Sequence, residues 1–290
     1  MATAYVLYNL KAGNKTTIED VNILEVVLHD EVKFIDISRI TNYQTFINGL
    51  EPYDSIVICG GDGTLNHFIN NTDGIEFDNE VFYYPLGTGN DFASDLGHSK
   101  GCNPFEITEY IKNLPLVTVN GKSYRFINGV GYGIDGYCCE IGDELKKIPG
   151  KKVNYTSIAI KGLLFHYKPT NATVTVDGVT HTYKKAWLVP TMNGRFYGGG
   201  MMPTPNQKRN SGKLSVMVMH GAGKFRTLMA FPSIFKGEHI KYKNIVSIFE
   251  GNTITVEFDR PTALQIDGET ILNVTSYTAE AFTVREMVTV

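Results

Sequence analysis

Residues 60–64 read GGDGT and directly follow the apolar run of residues 55–59. A short apolar run that is rich in β-branched residues and closed by glycines predicts a buried parallel strand ending in a tight loop. Glycines in such a loop let the backbone approach a ligand and point successive N–H groups at an anion. The helix predicted next, capped by Thr64, would direct its positive end at the same anion. The segment indicates a phosphate site, with Asp62 placed to hold magnesium or to accept a proton.

A second loop of the same type follows along the chain. Residues 81–86 (VFYYPL) predict another short strand, and residues 87–93 (GTGNDFA) add two glycines and Asp91. Loops that follow neighbouring parallel strands gather at the carboxyl edge of the sheet, where ligands of open α/β sheets bind. A single glycine loop is most often a plain turn. Two such loops, each ending in a carboxylate, indicate nucleotide chemistry.

The composition sets broad limits on function. The 290 residues are 42% hydrophobic and 20% charged, which is typical of a globular chain long enough for two domains. A net charge of −3 gives no general attraction for nucleic acid or an anionic membrane, so any membrane contact has to be local. No apolar stretch approaches the ~20 residues that span a bilayer. Four cysteines without metal-ligand spacing predict buried thiols in a reducing compartment, and we expect a cytoplasmic protein.

The hydrophobic pattern predicts two domains. Strand patterns at residues 5–8, 32–37, 56–59 and 82–85 alternate with helical patterns at residues 18–29 and 41–49, and Asn103-Pro104 is expected to open another helix. Later runs such as residues 172–176, 214–219 and 254–258 predict antiparallel strands of a β-sandwich with one buried face. We predict an α/β domain over residues 1–122 and a β-sandwich domain over residues 123–278, with a cleft between them. Residues 279–290 can return to the first domain.

Five motifs, in order along the chain, carry a resemblance to a known family. They are residues 9–15 (NLKAGNK), 60–64 with 85–93 (GGDGT and PLGTGNDFA), 128–135 (NGVGYGID), 193–201 (NGRFYGGGM) and 265–269 (QIDGE). They resemble the diacylglycerol kinase catalytic family, which includes bacterial diacylglycerol kinases, related lipid kinases and sphingosine kinases. The resemblance covers nearly the whole chain, although Leu10 stands where the family usually has proline.

The resemblance implies a kinase that uses ATP and Mg²⁺, with an ATP-binding first domain and a lipid-binding second domain. The implied acceptor is a lipid hydroxyl, with diacylglycerol the first candidate and phosphatidic acid the product. The residues implied in ATP binding are Asn9, Gly13, Lys15, Gly60, Gly61, Gly63, Thr64, Thr88 and Asn90. Asp62 and Asp91 are the implied protein ligands of magnesium, which prefers carboxylate oxygens. Asp135 resembles the segment that meets the lipid head group, where a carboxylate can orient the acceptor hydroxyl.

Two carboxylates are candidates for the general base. In sphingosine-kinase-like members the role is given to the aspartate that matches Asp62, and in bacterial diacylglycerol kinases to the glutamate that matches Glu269. We favour Glu269, positioned by the turn at residues 267–268, with Asp62 acting on the magnesium nucleotide.

One position departs from the family. Bacterial members usually carry an aspartate just before the strand at residues 214–219, and it helps to hold a structural magnesium linked to the GGD aspartate. Ser211 stands at that position. Because a hard cation prefers carboxylate ligands, the structural metal site is an open question. The alternative is that the positive charge of Lys208 or Lys213 takes the place of this metal ion.

A lipid kinase has to reach a bilayer without spanning it. Lys146, Lys147, Lys151 and Lys152 form a basic cluster, apolar residues follow at 160–167, and residues 224–236 mix both types. Such surfaces bind anionic lipid, although each segment can equally be a charged face over a core helix. We expect peripheral membrane contact there and no nucleic acid partner. An exposed strand edge leaves room for a homodimer.

Two other functions stay open. An NAD kinase would share GGDGT, but it is not expected to carry GTGNDFA or NGRFYGGG. A non-catalytic lipid- or nucleotide-binding relative would account for Ser211, whereas the presence of Asp62 and Glu269 argues against it. The motifs are shared by kinases of several lipids, so the sequence does not specify the acceptor.

Overall fold

The computed structural model describes residues 2–9, 18–28, 31–148 and 153–282. The chain divides into two units, Met1–Asn113 and Leu114–Val290. The sequence placed the division at residues 122 and 123, inside a hairpin that the structure assigns whole to the second unit. Gly13, Lys15, Lys151, Lys152 and residues 283–290 lie outside the described residues.

A five-stranded sheet forms the centre of the first unit. Its strands are β1 (Thr3–Tyr8), β2 (Glu31–Asp36), β3 (Ser55–Gly60), β4 (Val81–Pro85) and β5 (Phe105–Glu106). They are arranged in the order β2-β1-β3-β4-β5, with the first four parallel and β5 antiparallel to β4. Residues 56–59 are all fully buried, so both faces of the central β3 are covered. The predicted parallel α/β sheet is confirmed.

The helices of the first unit correct two predictions. They are α1 (Ile18–Asn22), α2 (Leu24–Val27), α3 (Tyr43–Asn48), α4 (Asp62–Asn71), α5 (Asp91–Asp95) and α6 (Thr108–Lys112). Thr64 does not cap α4, because the helix begins at Asp62 directly after the extended Gly61. Asn103-Pro104 does not open a helix either. Residues 105–106 pair with β4 at the sheet edge, and α6 begins only at Thr108.

An antiparallel sheet of ten strands forms the second unit. The strands are β6 (Leu116–Val119), β7 (Lys122–Arg125), β8 (Gly129–Tyr132), β9 (Thr170–Val176), β10 (Val179–Ala186), β11 (Thr191–Met192), β12 (Leu214–Met219), β13 (Val246–Gly251), β14 (Thr253–Ile266) and β15 (Glu269–Glu280). Neighbours follow the order β13-β12-β11-β8-β14-β15-β6-β7, and β9 pairs with β10 and β14.

The long strand β14 connects the two parts of this sheet. Its residues 254–258 pair with β9, whereas residues 264–266 pair with β8. Its register against β15 shifts in between, at a segment that contains Pro261, which has no backbone N–H to donate. Strands from both parts enclose one apolar core. The predicted antiparallel β domain after the α/β domain is confirmed.

Helices pack on the outer side of β12. The described helices of the second unit are α7 (Ile134–Lys146), α8 (Tyr155–Lys161), the π-helix Gly162–His166, α9 (Lys224–Ala230) and short 3₁₀ segments at Arg209–Ser211, Phe231–Lys236 and Glu238–Lys241. Met217 and Met219 belong to the cluster with the helices, and Val216 and Val218 belong to the sheet core. The prediction that β12 has one exposed face is wrong, because all six of its residues are buried. No helix among the described residues is long and apolar enough to cross a membrane.

Candidate active site

The two glycine loops of the first unit are in direct backbone contact. A Cβ atom on Gly61 would lie 3.0 Å from the Cα atom of Gly87, and one on Gly87 would lie 2.5 Å from the Gly61 Cα atom. The Gly60 carbonyl also accepts hydrogen bonds from the N–H groups of Leu86 at 2.8 Å and Gly87 at 3.3 Å. Only glycine permits this approach from both sides. Because β3 and β4 are parallel neighbours, both loops lie at one edge of the sheet.

Asp62 joins the two loops through its carboxylate. This first residue of α4 accepts hydrogen bonds from the N–H groups of Asp91 at 2.9 Å and Phe92 at 3.0 Å. Both donors belong to the first turn of α5, where backbone N–H groups have no partner within the helix. Asp62 therefore caps the helix of the neighbouring loop. Asp91 is itself 5% exposed.

The N-terminus of α4 offers polar groups to a ligand. Gly63 is exposed, and a Cβ atom there would have no other atom within 4 Å. Thr64 is 2% exposed, and its hydroxyl group has no hydrogen-bond partner among the described residues. Its N–H group already donates to the Gly61 carbonyl at 3.0 Å. Phosphate oxygens would therefore contact the hydroxyl group of Thr64 and the N–H groups before it, at the positive end of the helix.

Three other residues implied in nucleotide binding lie along this edge. Asn9 directly follows β1, which neighbours β3, and so lies at the same end of the sheet as Gly60. Thr88 is exposed. Asn90 has a left-handed backbone with φ of 50°, and its amide donates to the Gly87 carbonyl at 2.9 Å. Its buried side-chain oxygen has no hydrogen-bond partner among the described residues.

The described residues do not form a complete protein site for magnesium. They contain no group of three or more histidine, cysteine or carboxylate side chains that could hold a metal ion. Magnesium in kinases, however, is commonly held by one or two carboxylates together with the nucleotide phosphates. Asp62 and Asp91 fit that arrangement, because they are the carboxylates of the two joined loops. They do not make a nucleotide-independent site.

The second unit buries a carboxyl group at the start of α7. Asp135 is 7% exposed, and its Oδ1 accepts a hydrogen bond from the Gly136 N–H at 3.0 Å. Burial raises the pKa of this carboxyl group to about 6, while the neighbouring polar groups of Tyr197 and Gln265 act in the opposite direction. A carboxyl group that titrates close to neutral pH is frequent at functional sites.

Gly131 of β8 makes room for this carboxyl group. A Cβ atom on Gly131 would lie 1.7 Å from Oδ2 of Asp135 and 2.4 Å from Nε2 of Gln265. Gln265 is buried, and its side-chain oxygen accepts a hydrogen bond from the Gly268 N–H at 2.7 Å. Three of the sequence motifs thus meet around one carboxyl group.

A tight turn presents Glu269. Asp267 and Gly268 form the two-residue turn between β14 and β15, with φ of 47° and 96°. The Asp267 carboxylate accepts three hydrogen bonds from the segment that leads into β8. The donors are the N–H groups of Ile127 at 2.6 Å, Asn128 at 2.8 Å and Gly129 at 3.0 Å. Glu269 follows as the first residue of β15 and is exposed, so a firmly anchored turn carries a solvent-accessible carboxylate.

Arg209, two residues before Ser211, connects the segment around that serine to the residues that lead into β8. Its guanidinium group donates to the Ile127 carbonyl and, at 2.6 Å, to Oδ1 of Asn128. Ser211 is exposed, and its hydroxyl group donates to the carbonyl of Lys213. Ser211 offers a hydroxyl group where a divalent cation prefers a carboxylate. The residue at this position therefore does not fit a structural magnesium.

Three residues of these clusters are absent from the predicted site. Tyr197 and Gln265 lie inside the motifs at residues 193–201 and 265–269, so their motifs gave a usable signal. Arg209 stands among other basic residues, and no pattern in the sequence distinguishes it from them.

Comparison with known proteins agrees with the two-domain fold. A family model described as the diacylglycerol kinase catalytic domain matches residues 3–119, and one described as the YegS C-terminal NAD kinase beta sandwich-like domain matches residues 128–283. The diacylglycerol kinase of Mycobacterium tuberculosis is 25% identical over 70% of this chain and 67% of its own length. That of Bacillus subtilis is 26% identical over 76% and 72%.

A solved structure shows the same fold. It is described as "a putative diacylglycerol kinase from Bacillus anthracis", with a TM-score of 0.68 and 21% identity over 96% of this chain and 91% of that one. The chain belongs to the diacylglycerol kinase family. It is a phosphotransferase by family, and its kinase relatives imply the use of a nucleotide.

Proposed function

We propose that this protein transfers the γ-phosphoryl group of ATP to the hydroxyl group of a lipid, with diacylglycerol as the first candidate. The observation that carries the proposal is the N-terminus of α4, where Gly63 is open to a ligand and the Thr64 hydroxyl has no partner among the described residues. A helix N-terminus of this kind binds phosphate. The relatives in M. tuberculosis and B. subtilis are named diacylglycerol kinase, which supports diacylglycerol as the acceptor.

In this proposal, the first unit binds and orients the nucleotide. Gly63 and Thr64 contact phosphate oxygens, and Asn90 closes the second loop on itself through its hydrogen bond to the Gly87 carbonyl. Mg²⁺, held on the phosphates by Asp62 or Asp91, supplies charge neutralisation for the transfer. Asp62 also holds α5 in place, so the site depends on it for its shape as well as its charge.

The second unit provides the acceptor chemistry in this proposal. Glu269 takes the proton from the lipid hydroxyl, because it is an accessible carboxylate on a turn that Asp267 anchors. Asp135 is almost fully buried, so its role in the acceptor site is to shape it together with Tyr197 and Gln265.

The test is phosphate transfer from γ-labelled ATP to a panel of acceptors. The panel contains diacylglycerol and sphingosine in mixed micelles, and NAD in solution. The full chain is assayed with magnesium beside the Glu269→Gln variant, which preserves the size of the side chain. We expect labelled phosphatidic acid with the natural chain and at least about 100-fold less with the variant.

Each other product has a defined meaning. Label on sphingosine would keep the lipid kinase and change its acceptor. Label on NAD would contradict the lipid acceptor. No transfer despite nucleotide binding would identify the protein as a non-catalytic member of the family.

A further inference from the structure

Two segments of the second unit that mix basic and apolar residues come together in the fold. α9 packs against the π-helix Gly162–His166, and Nζ of Lys224 donates a hydrogen bond to the Leu164 carbonyl at 2.8 Å. The inner sides of both helices belong to one buried cluster that includes Leu163 and Ala230. The exposed side chains of residues 160–168 and 224–236 therefore form one surface, which we name the α9 face.

Large apolar side chains protrude from the α9 face. Phe165 is 71% exposed, Phe225 is 80% exposed and Met229 is 74% exposed. Phe225 and Met229 are four residues apart on α9 and so point to the same side of the helix. Single exposed apolar residues are ordinary, but several large ones on adjoining helices indicate an interaction site.

The charges of the α9 face have one sign. Residues 160–168 and 224–236 contain no aspartate or glutamate. They contain five basic residues, all exposed, namely Lys161, Lys168, Lys224, Arg226 and Lys236. The whole chain carries a net charge of −3, so this basic surface is a local feature. A partner has to be negatively charged and apolar at the same time.

The basic cluster expected near the end of α7 is a weaker candidate. Nζ of Lys146 lies 2.9 Å from the carboxylate of Asp143, which neutralises much of its charge. Lys151 and Lys152 lie outside the described residues. The α9 face combines protruding apolar side chains with cations, which a bilayer surface requires of a peripheral protein.

We propose that the α9 face docks onto an anionic lipid bilayer. Phe165, Phe225 and Met229 insert among the acyl chains, while the surrounding cations contact the negatively charged head groups. A second copy of the chain fits less well, because a symmetric contact would set five cations against five with no acidic residue between them. This inference deepens the proposed function and rests on it for its purpose, since a lipid acceptor resides in a bilayer.

The first test is sedimentation of the full chain with vesicles. Phosphatidylcholine vesicles are compared with vesicles that also contain phosphatidylglycerol. We expect binding to the anionic vesicles that weakens as salt is raised. The Phe225→Ser/Met229→Ser variant should bind them at least about tenfold more weakly. The matched control is Val26→Ser/Val179→Ser, which removes two apolar side chains that are 80% and 60% exposed elsewhere.

A charge variant separates the basic part of the face from the apolar part. Arg226→Glu should weaken binding to anionic vesicles, with little effect on the small binding to neutral ones. Lys122→Glu changes the net charge equally on the exposed strand β7 and should bind like the natural chain. Circular dichroism of each variant confirms that it is folded.

Three results would overturn the proposal. The first is no binding of the natural chain to anionic vesicles. The second is equal binding by the Phe225→Ser/Met229→Ser variant, and the third is a concentration-dependent dimer that this variant abolishes without any vesicle binding.

A further assay distinguishes failure of the docking proposal from failure of the proposed function. It measures phosphorylation of a water-soluble short-chain diacylglycerol beside that of diacylglycerol in vesicles. If only the docking proposal fails, the Phe225→Ser/Met229→Ser variant is as active as the natural chain on the soluble substrate and also on the substrate in vesicles. If the proposed function alone fails, vesicle binding still depends on Phe225 and no substrate is phosphorylated.

Discussion

The carboxylate of Asp62 accepts a hydrogen bond from the Asp91 N–H at 2.9 Å, so the first residue of α4 caps the first turn of α5. This contact joins the two glycine loops at one edge of the sheet. The close approach of Gly61 and Gly87 forms the other half of the same junction. The proposed nucleotide site and the integrity of the first unit therefore depend on the same residue, Asp62.

Replacing Asp62 should accordingly affect both stability and activity. In the Asp62→Ala variant, the N–H groups of Asp91 and Phe92 lose their acceptor, which should lower the free energy of unfolding by about 1–3 kcal/mol. Turnover should fall at least about 100-fold. Urea unfolding and the phosphate-transfer assay measure the two effects. Asp78→Ala, at an exposed position, is the control. Full activity in the Asp62 variant would remove Asp62 from the site.

Glu269→Gln should affect turnover alone. The side chain is exposed, so the amide should cost little stability, and the nucleotide affinity should stay unchanged. Calorimetric titration with ATP checks the affinity. Glu257→Gln, which alters another exposed glutamate on β14, should behave as the natural chain in both measurements. A Glu269→Gln variant as fast as the natural chain would refute the assignment of the base.

Asp135 should make stability depend on pH. Its pKa is raised from 3.8 to about 6 in the folded state, so the folded chain holds this proton more tightly than the unfolded chain. The stabilising protonated form is complete below about pH 4 and is lost as the pH rises through about 6. Compared with Asp135→Asn, the natural chain should lose roughly 2–3 kcal/mol of unfolding free energy between pH 4 and 7. A constant difference across this range, measured by urea unfolding, would contradict the burial argument.

Arg209 should make magnesium unnecessary for the stability of the second unit. Arg209→Met removes the donor to the Ile127 carbonyl and to Asn128, and should cost about 1–3 kcal/mol. Lys208→Met, at the exposed neighbouring position, should cost little. Without nucleotide, the melting temperature of the natural chain should not change as magnesium is added. A clear rise would mean that a structural metal is bound after all.

The sequence predicted elements whose signal is local. The buried parallel strands β1, β3 and β4 are continuous apolar runs closed by glycine or proline loops, and the structure extends the predicted strands by one or two residues. The turn of Asp267 and Gly268 is likewise visible in the residue types. The resemblance to the family supplied the reaction class, which the residues alone left open.

Long-range contacts could not be predicted in the same way. The hydrogen-bond acceptor role of Asp62 depends on where α5 begins in space, and its position in GGDGT suggested only a ligand to magnesium or a proton acceptor. Burial of both faces of β12 depends on helices from both sides of it in the sequence, among them α7 and α9. The contacts of Arg209 depend on the path of a loop, and no signal in the sequence indicated them because Lys208 beside it carries the same charge.

The most direct test of the central claim is the affinity for ATP of the Gly63→Ala variant. A Cβ atom at this position has open space and lies in the first turn of α4, so the variant should be as stable as the natural chain or more stable by about 0.5–1 kcal/mol. The added methyl group would occupy the space of a phosphate, so ATP should bind at least about tenfold more weakly. Gly49→Ala, at the end of α3, is the control. Unchanged ATP affinity in a folded Gly63→Ala variant would contradict the phosphate site.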